Sequence, residues 1–213
     1  MANIQMTDWL PFVQAEVHGC PRPMCFDAIR QAVIRFCAET MIWRYECPTI
    51  STIVGVNTYQ LEIPSYSQCV SVRSLNYNNR KPPLEERTVE QLYKTDPTWT
   101  SETGAARYYA FRSPNVIVLD RVPDEIVQMV AVVALKPRQT QLEVDELLFE
   151  DYRDAITSGA LSRLMLMPGK AWYDAANGAR HEAVFQDARD KALSRANHGY
   201  GTRQAARAKP QYL

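Results

Sequence analysis

Apolar positions recur every three or four residues along two long stretches in the last third of the chain, and they predict a helical hairpin. In the first stretch, from about Asp145 to Leu166, Leu148, Tyr152, Ile156, Ala160 and Leu164 fall at i+4 intervals, and Ala155 and Leu161 widen the face. Gly159 lies inside this helix. A mid-helix glycine costs about 1 kcal/mol relative to alanine, so close approach of another backbone is its expected purpose. Pro168 and Gly169 stop the helix, one unable to continue the ladder and the other suited to a left-handed cap. The second stretch runs from about Asp174 to Asn197. Ala175, Ala176, Ala179, Ala183, Ala188, Ala192 and Ala196 give it a small-residue surface, with bulk from Val184, Phe185 and Leu193. Such a thin helix packs close to a neighbour, which Gly159 would accept.

A third helical pattern spans Met24 to Trp43, where Phe26, Ile29, Val33, Phe36, Cys37 and Thr40 share a face and Arg30, Arg35 and Glu39 fall mainly opposite. Ahead of it, Trp9, Leu10, Phe12 and Val13 form an apolar arm that needs a partner surface. From Pro48 the period changes. Ile50 to Val56, Thr58 to Ile63 and Val70 to Tyr77 are rich in β-branched and aromatic residues and predict strands. Gly55 to Asn57 is placed to turn the chain between the first two. Asn78-Asn79 suits a hairpin turn, since asparagine tolerates positive φ, and Lys81 to Leu84 would return beside the third strand. Thr88 and Gln91 have the spacing of a capping box opening a short helix to about Lys94. Asp96 to Gly104 is a polar loop around Trp99. Arg107 to Phe111 and Val116 to Leu119 predict another hairpin. Glu125 to Leu135 fits a helix or a buried strand, with β-branched density and the flanking Pro123 and Pro137 favouring the strand.

The expected fold class is therefore α+β: a helical bundle (N-terminal helix plus the long C-terminal helical hairpin) with an inserted antiparallel β region and an extended C-terminal tail. The expected division is residues 1–47 and 138–198 as helical core, 48–137 as the β insertion and 199–213 as the tail.

With 213 residues, 46% of them hydrophobic, the chain can bury a sizeable core, and its formal net charge of zero argues against a surface that grips nucleic acid or anionic lipid throughout. No apolar run approaches the ~20 residues of a membrane span. The first residues lack the basic and apolar regions of a signal peptide, so the chain is expected to stay in a reducing cytoplasm where it is made. Cys20, Cys25, Cys37, Cys47 and Cys69 are irregularly spaced without a CxxC pair, and His181 and His198 lie far from His18, so no metal and no cofactor is expected. Walker A, GxGxxG, GxSxG and HExxH patterns are missing. The carboxylates of Asp145, Glu146, Glu150, Asp151 and Asp154 gather at a helix start, where they complement the dipole without any catalytic purpose. No catalytic residue is expected. Cys20 or Cys25 beside His18 offers the nearest imitation of a thiol–imidazole nucleophile.

The tail from Gly199 to Leu213 carries Arg203, Arg207 and Lys209 and no acidic residue, and it has too few apolar side chains to bury. It is expected to be disordered alone and to order on a partner, with Tyr200, Tyr212 and Leu213 as anchors.

Several segments resemble one family. Trp9-Leu-Pro-Phe-Val-x-x-Glu16-Val-x-Gly-Cys20-Pro, then Ala28-Ile-Arg30 and Arg35-Phe36-Cys37-x-x-Thr40-x-x-Trp43, look like the head-to-tail adaptor (connector) proteins of tailed phages. So do Ala155-Ile-x-x-Gly159-Ala160-Leu161-x-Arg163-Leu164 with Pro168-Gly-Lys170-x-Trp172, and more weakly Val132-Val-Ala-Leu135-Lys136-Pro137. These are packing motifs rather than catalytic signatures. The resemblance implies a structural virion protein at the head–tail junction, assembled in the host cytoplasm. It implies a homo-oligomeric ring, commonly of twelve copies, bound to the phage portal protein and a downstream tail protein. Double-stranded DNA would pass through it without sequence specificity, and no membrane is involved. Portal docking falls to Tyr200, Arg203, Arg207, Lys209, Tyr212 and Leu213, and helix packing to Gly159, Ala160 and Trp172. Two other readings compete: a nucleic-acid-binding regulatory protein using the basic tail, and a small hydrolase with a cysteine nucleophile.

Overall fold

The structure, a computed structural model, describes residues 3–112 and 114–198. Along the chain lie β1 (Asn3–Gln5), a 3-10 turn (Met6–Trp9), α1 (Leu10–Gln14), α2 (Arg22–Thr40), β2 (Arg44–Glu46), β3 (Ile50–Ser51), β4 (Thr58–Gln60) and β5 (Ser67–Tyr77). Then come β6 (Glu85–Glu86), α3 (Val89–Thr95), β7 (Tyr108–Arg112), β8 (Val116–Leu119), β9 (Gln128–Pro137), β10 (Glu143–Asp145), α4 (Leu147–Met165) and α5 (Ala175–His198).

Strand β9 holds the molecule together. Its sequence, QMVAVVALKP, is dense in β-branched residues, and Met129, Ala131, Val133, Ala134 and Leu135 are buried. On one edge it pairs antiparallel with β5, from Ser67 opposite Pro137 to Tyr77 opposite Met129, through two register shifts. On the other edge it pairs with β2 and then β3 (Arg44 opposite Ala134, Ile50 opposite Met129). A second sheet runs β4-β8-β7-β6, with β6 parallel to β7, and β1 pairs with β10 in a third.

Helix α2 packs on β9 and on α4. Of its expected apolar positions, Ile29, Val33, Phe36, Cys37 and Thr40 are buried and Phe26 is partly buried, and Met41 closes it in the left-handed conformation at φ 54°. In α4, Leu148, Tyr152, Ile156, Ala160 and Leu164 are buried as their spacing requires, with a kink at Tyr152 (φ −130°, ψ 17°). The turn to α5 uses Gly169 at φ 75°, and the Asp174 carboxylate then accepts the Asn177 N–H at 3.0 Å. That bond holds the Asp174 carboxyl below the usual range.

The expected helical bundle with a β insertion is overturned. Among the described residues helix makes up only 40%, spread over five α-helices, and three sheets share the structure with them. Strands β1, β2 and β10 fall inside the segments assigned to the helical core. One apolar cluster continues from Trp9 and Phe36 through Leu75, Ile117 and Val133 to Phe185, so helices and sheets share a core. Two further expectations change. The N-terminal arm finds its partner within the chain: Trp9 is fully buried and sits edge-on to Phe149, with centroids 4.8 Å apart. The loop around Trp99 is anchored, because Trp99 packs with Leu92, Ala110 and Val118 in a small second cluster.

Candidate docking surface

Gly159 sits where α2, α4 and α5 meet. A Cβ placed there would lie 2.6 Å from Cδ2 of Phe185 and 3.2 Å from Cβ of Ala32. The close neighbour is thus an aromatic ring rather than the backbone expected from the sequence. Ala160 is fully buried, and Trp172 packs partly buried against the core from the α4–α5 turn. Gly178, which sequence reasoning missed, has an equivalent role: a Cβ there would lie 2.9 Å from Cγ of Leu166. The docking residues Tyr200, Arg203, Arg207, Lys209, Tyr212 and Leu213 lie outside the described residues. The alanines of α5 divide: Ala192 and Ala196 are buried, while Ala175, Ala176, Ala179 and Ala183 are exposed.

A polar clamp ties α2 to α5 over this junction. Arg35 donates to both Glu182 oxygens, at 2.8 and 3.2 Å, and to Glu39 at 3.0 Å. Arg189 donates to Glu39 at 3.2 Å, and the Ser162 hydroxyl and Gln186 amide donate to Glu182. The Arg35 guanidinium also covers the Phe185 ring at 4.8 Å. Its hydrogen bonds to Glu182 hold that carboxyl below the usual glutamate range, against the opposing effect of burial.

The cysteines offer little nucleophilicity. All are free and buried, and burial pushes the Cys25 thiol up to about 12, leaving it protonated near neutrality. His18 is exposed and Cys20 is buried. No group of metal-holding His, Cys, Asp or Glu side chains occurs among the described residues, and no described helix is long and apolar enough to cross a membrane.

The feature that stands out is a surface tip built from the β3–β4 and β8–β9 connections. Ile53, Val54 and Val56 are 60%, 56% and 38% exposed, and Ile126 beside them is 73% exposed. Apolar side chains gathered at one exposed place mark an interaction site more than scattered ones do, and the backbone beneath these is well bonded. The Thr52 N–H donates to Val127 O at 2.8 Å, the Val127 N–H donates to Thr52 Oγ1 at 2.8 Å, and that hydroxyl donates to Glu125 O at 2.9 Å. The Val56 N–H closes a turn on Ile53 O at 3.0 Å, with Gly55 at φ 84° supplying the conformation that a type II turn needs at its third position. The Gly55 N–H donates to Pro123 O at 3.1 Å, joining the two loops. Tyr59 adds a brace: its hydroxyl accepts the Ile53 N–H at 3.1 Å and donates to Val56 O. Asp124 and Glu125 are exposed at the rim and make no ion pair among the described residues. Sequence reasoning took Ile50 to Val56 for a strand and so missed this tip; Gly55 between β-branched residues was the available signal.

No family model matches the chain, and no curated protein matches it.

Proposed function

We propose that this chain is a structural virion protein: one subunit of an adaptor ring between portal and tail of a tailed phage, with a channel through which DNA is ejected. The observation that carries the reading is the meeting of the resembling segments. Trp9 packs against Phe149 at the start of α4, Phe36 of α2 lies 5.0 Å from the Tyr152 ring of α4, and α2 rests on β9. Segments as far apart in sequence as Trp9–Pro21, Ala28–Trp43, Val132–Pro137 and Ala155–Trp172 belong to one packed body. Their resemblance to adaptor proteins is then a property of a unit, not of scattered words. The pinned apolar tip supports the same reading, because preorganised exposed apolar surface is what an assembling subunit presents.

Light scattering after size exclusion tests this, on the full chain alone and mixed with portal rings. A multi-subunit mass and co-elution with portal are expected. Deleting Thr202 to Leu213 removes no acidic and few apolar side chains, so it should leave the melting temperature unchanged while weakening portal attachment. A chain that stays monomeric in both samples overturns the reading. Affinity for free DNA that falls steeply with salt would replace it with the regulatory alternative.

A further inference from the structure

The tip has a counterpart on the same chain. In the turn between α4 and α5, Leu166 and Tyr173 are 45% and 50% exposed. Leu166 is steadied from below, since it lies against Gly178 so closely that a Cβ there would clash with it. Arg163 and Lys170 flank the pair, both exposed, and neither has an ion-pair partner among the described residues. The one carboxylate in the turn, Asp174, is engaged with Asn177. The tip presents apolar side chains under two unpaired carboxylates, Asp124 and Glu125; the turn presents apolar side chains under two unpaired cations.

We infer that the tip formed by Ile53, Val54, Val56 and Ile126 seats on the α4–α5 turn of a second copy of this chain, with Asp124 and Glu125 facing Arg163 and Lys170. This rests on the adaptor reading and names the contact between subunits. The match is between two different patches, so it is heterologous, the class of contact that builds a ring when the rotation between copies closes, as the adaptor reading requires. A self-pairing of tips would bring carboxylates against carboxylates, and a pairing of turns cations against cations; both are disfavoured. A patch of a few side chains is too small for a stable isolated pair, which needs roughly 1,200–2,000 Å² of total buried surface. The contact therefore works within a closed ring, where every subunit makes it once with each face. The pinned backbone of Thr52 and Val127 means that little ordering is required when the tip docks.

The test uses charge reversal in the full chain, read by light scattering and by thermal melting. Asp124→Lys with Glu125→Lys, and separately Arg163→Glu with Lys170→Glu, should each reduce the ring to monomer at unchanged melting temperature, all the positions being exposed. Combining the sets should restore the ring mass, as a merely structural role would not. As an independent measurement, Ile126→Cys with Tyr173→Cys should cross-link between copies through a bifunctional maleimide, against a background of buried native cysteines. Ring mass retained in both reversed variants overturns the contact while leaving the adaptor reading in place. So does loss without restoration, or loss of portal binding alone from the tip variant, which would make the portal the occupant. A double-cysteine chain that assembles but yields no inter-copy product also overturns it. A wild-type chain that never exceeds monomer mass, alone or with portal, overturns the adaptor reading and this contact together.

Discussion

Room for a side chain runs out at Gly159. Its Cα faces the Phe185 ring, with the Ala32 methyl alongside, so Gly159→Leu forces either the ring or α5 outward. Overpacking of this sort costs typically 1–3 kcal/mol, and the melting temperature should fall by several degrees. An unchanged melt would mean that Phe185 swings aside freely. A few residues along, Glu182 gives the fold a pH dependence. Its folded carboxyl titrates below the ordinary value of 4.5 because Arg35 hydrogen-bonds the ionised form. The bonus is fully present above the unfolded value and is lost as pH falls through the folded one. Melting temperature should therefore fall more steeply from about pH 5 to pH 3 in the wild type than in Glu182→Gln. Parallel curves would show that the clamp contributes nothing measurable. The glycine, the helical spacing around it and the approach of the second hairpin helix are visible in the sequence; that the Phe185 ring fills the gap is not, since the alanines of that helix suggest a backbone contact instead.

Among the elements, those long enough to show a period are legible. Helices α2, α4 and α5 span 19, 19 and 24 residues and end within a few residues of where their patterns place them. The capping box of Thr88 and Gln91 forms as its spacing predicts, with both reciprocal bonds. Strands β1, β2 and β10 have three residues each, too few to display alternation, and their partners are distant in sequence. The tip was hidden for the opposite reason. Ile53, Val54 and Val56 look like strand residues, and only the backbone bonds of their neighbours, Thr52 to Val127 and Gly55 to Pro123, turn them into a projection. Loops separate in the same way. Asn78 and Asn79 both adopt positive φ in an exposed turn, whereas the 96–104 loop is held by Trp99, 2% exposed. Limited trypsin treatment should cut after Arg80 well before any site around Trp99. First cuts at Lys94 would contradict this.

At the scale of the whole molecule, the helical bundle expected from the sequence is wrong in helix content and in arrangement, because what joins the parts is strand pairing across long separations. β9 takes β2, β3 and β5 from the first 77 residues of the chain, and β1 waits for β10: Asn3 lies opposite Asp145. That arrangement sets the order in which a nascent chain can fold. While the ribosome makes the first 127 residues, β5 and α2 have no central strand to lie against, so their apolar faces stay open. The sheet can close only after Pro137 has emerged, and the amino-terminal strand is fixed only after Asp145. Loop closure over such distances is slow, and the exposed edges meanwhile invite other chains. Crowded synthesis of many copies thus places the hazard before the native subunit exists, in half-made chains whose central strand has not yet arrived.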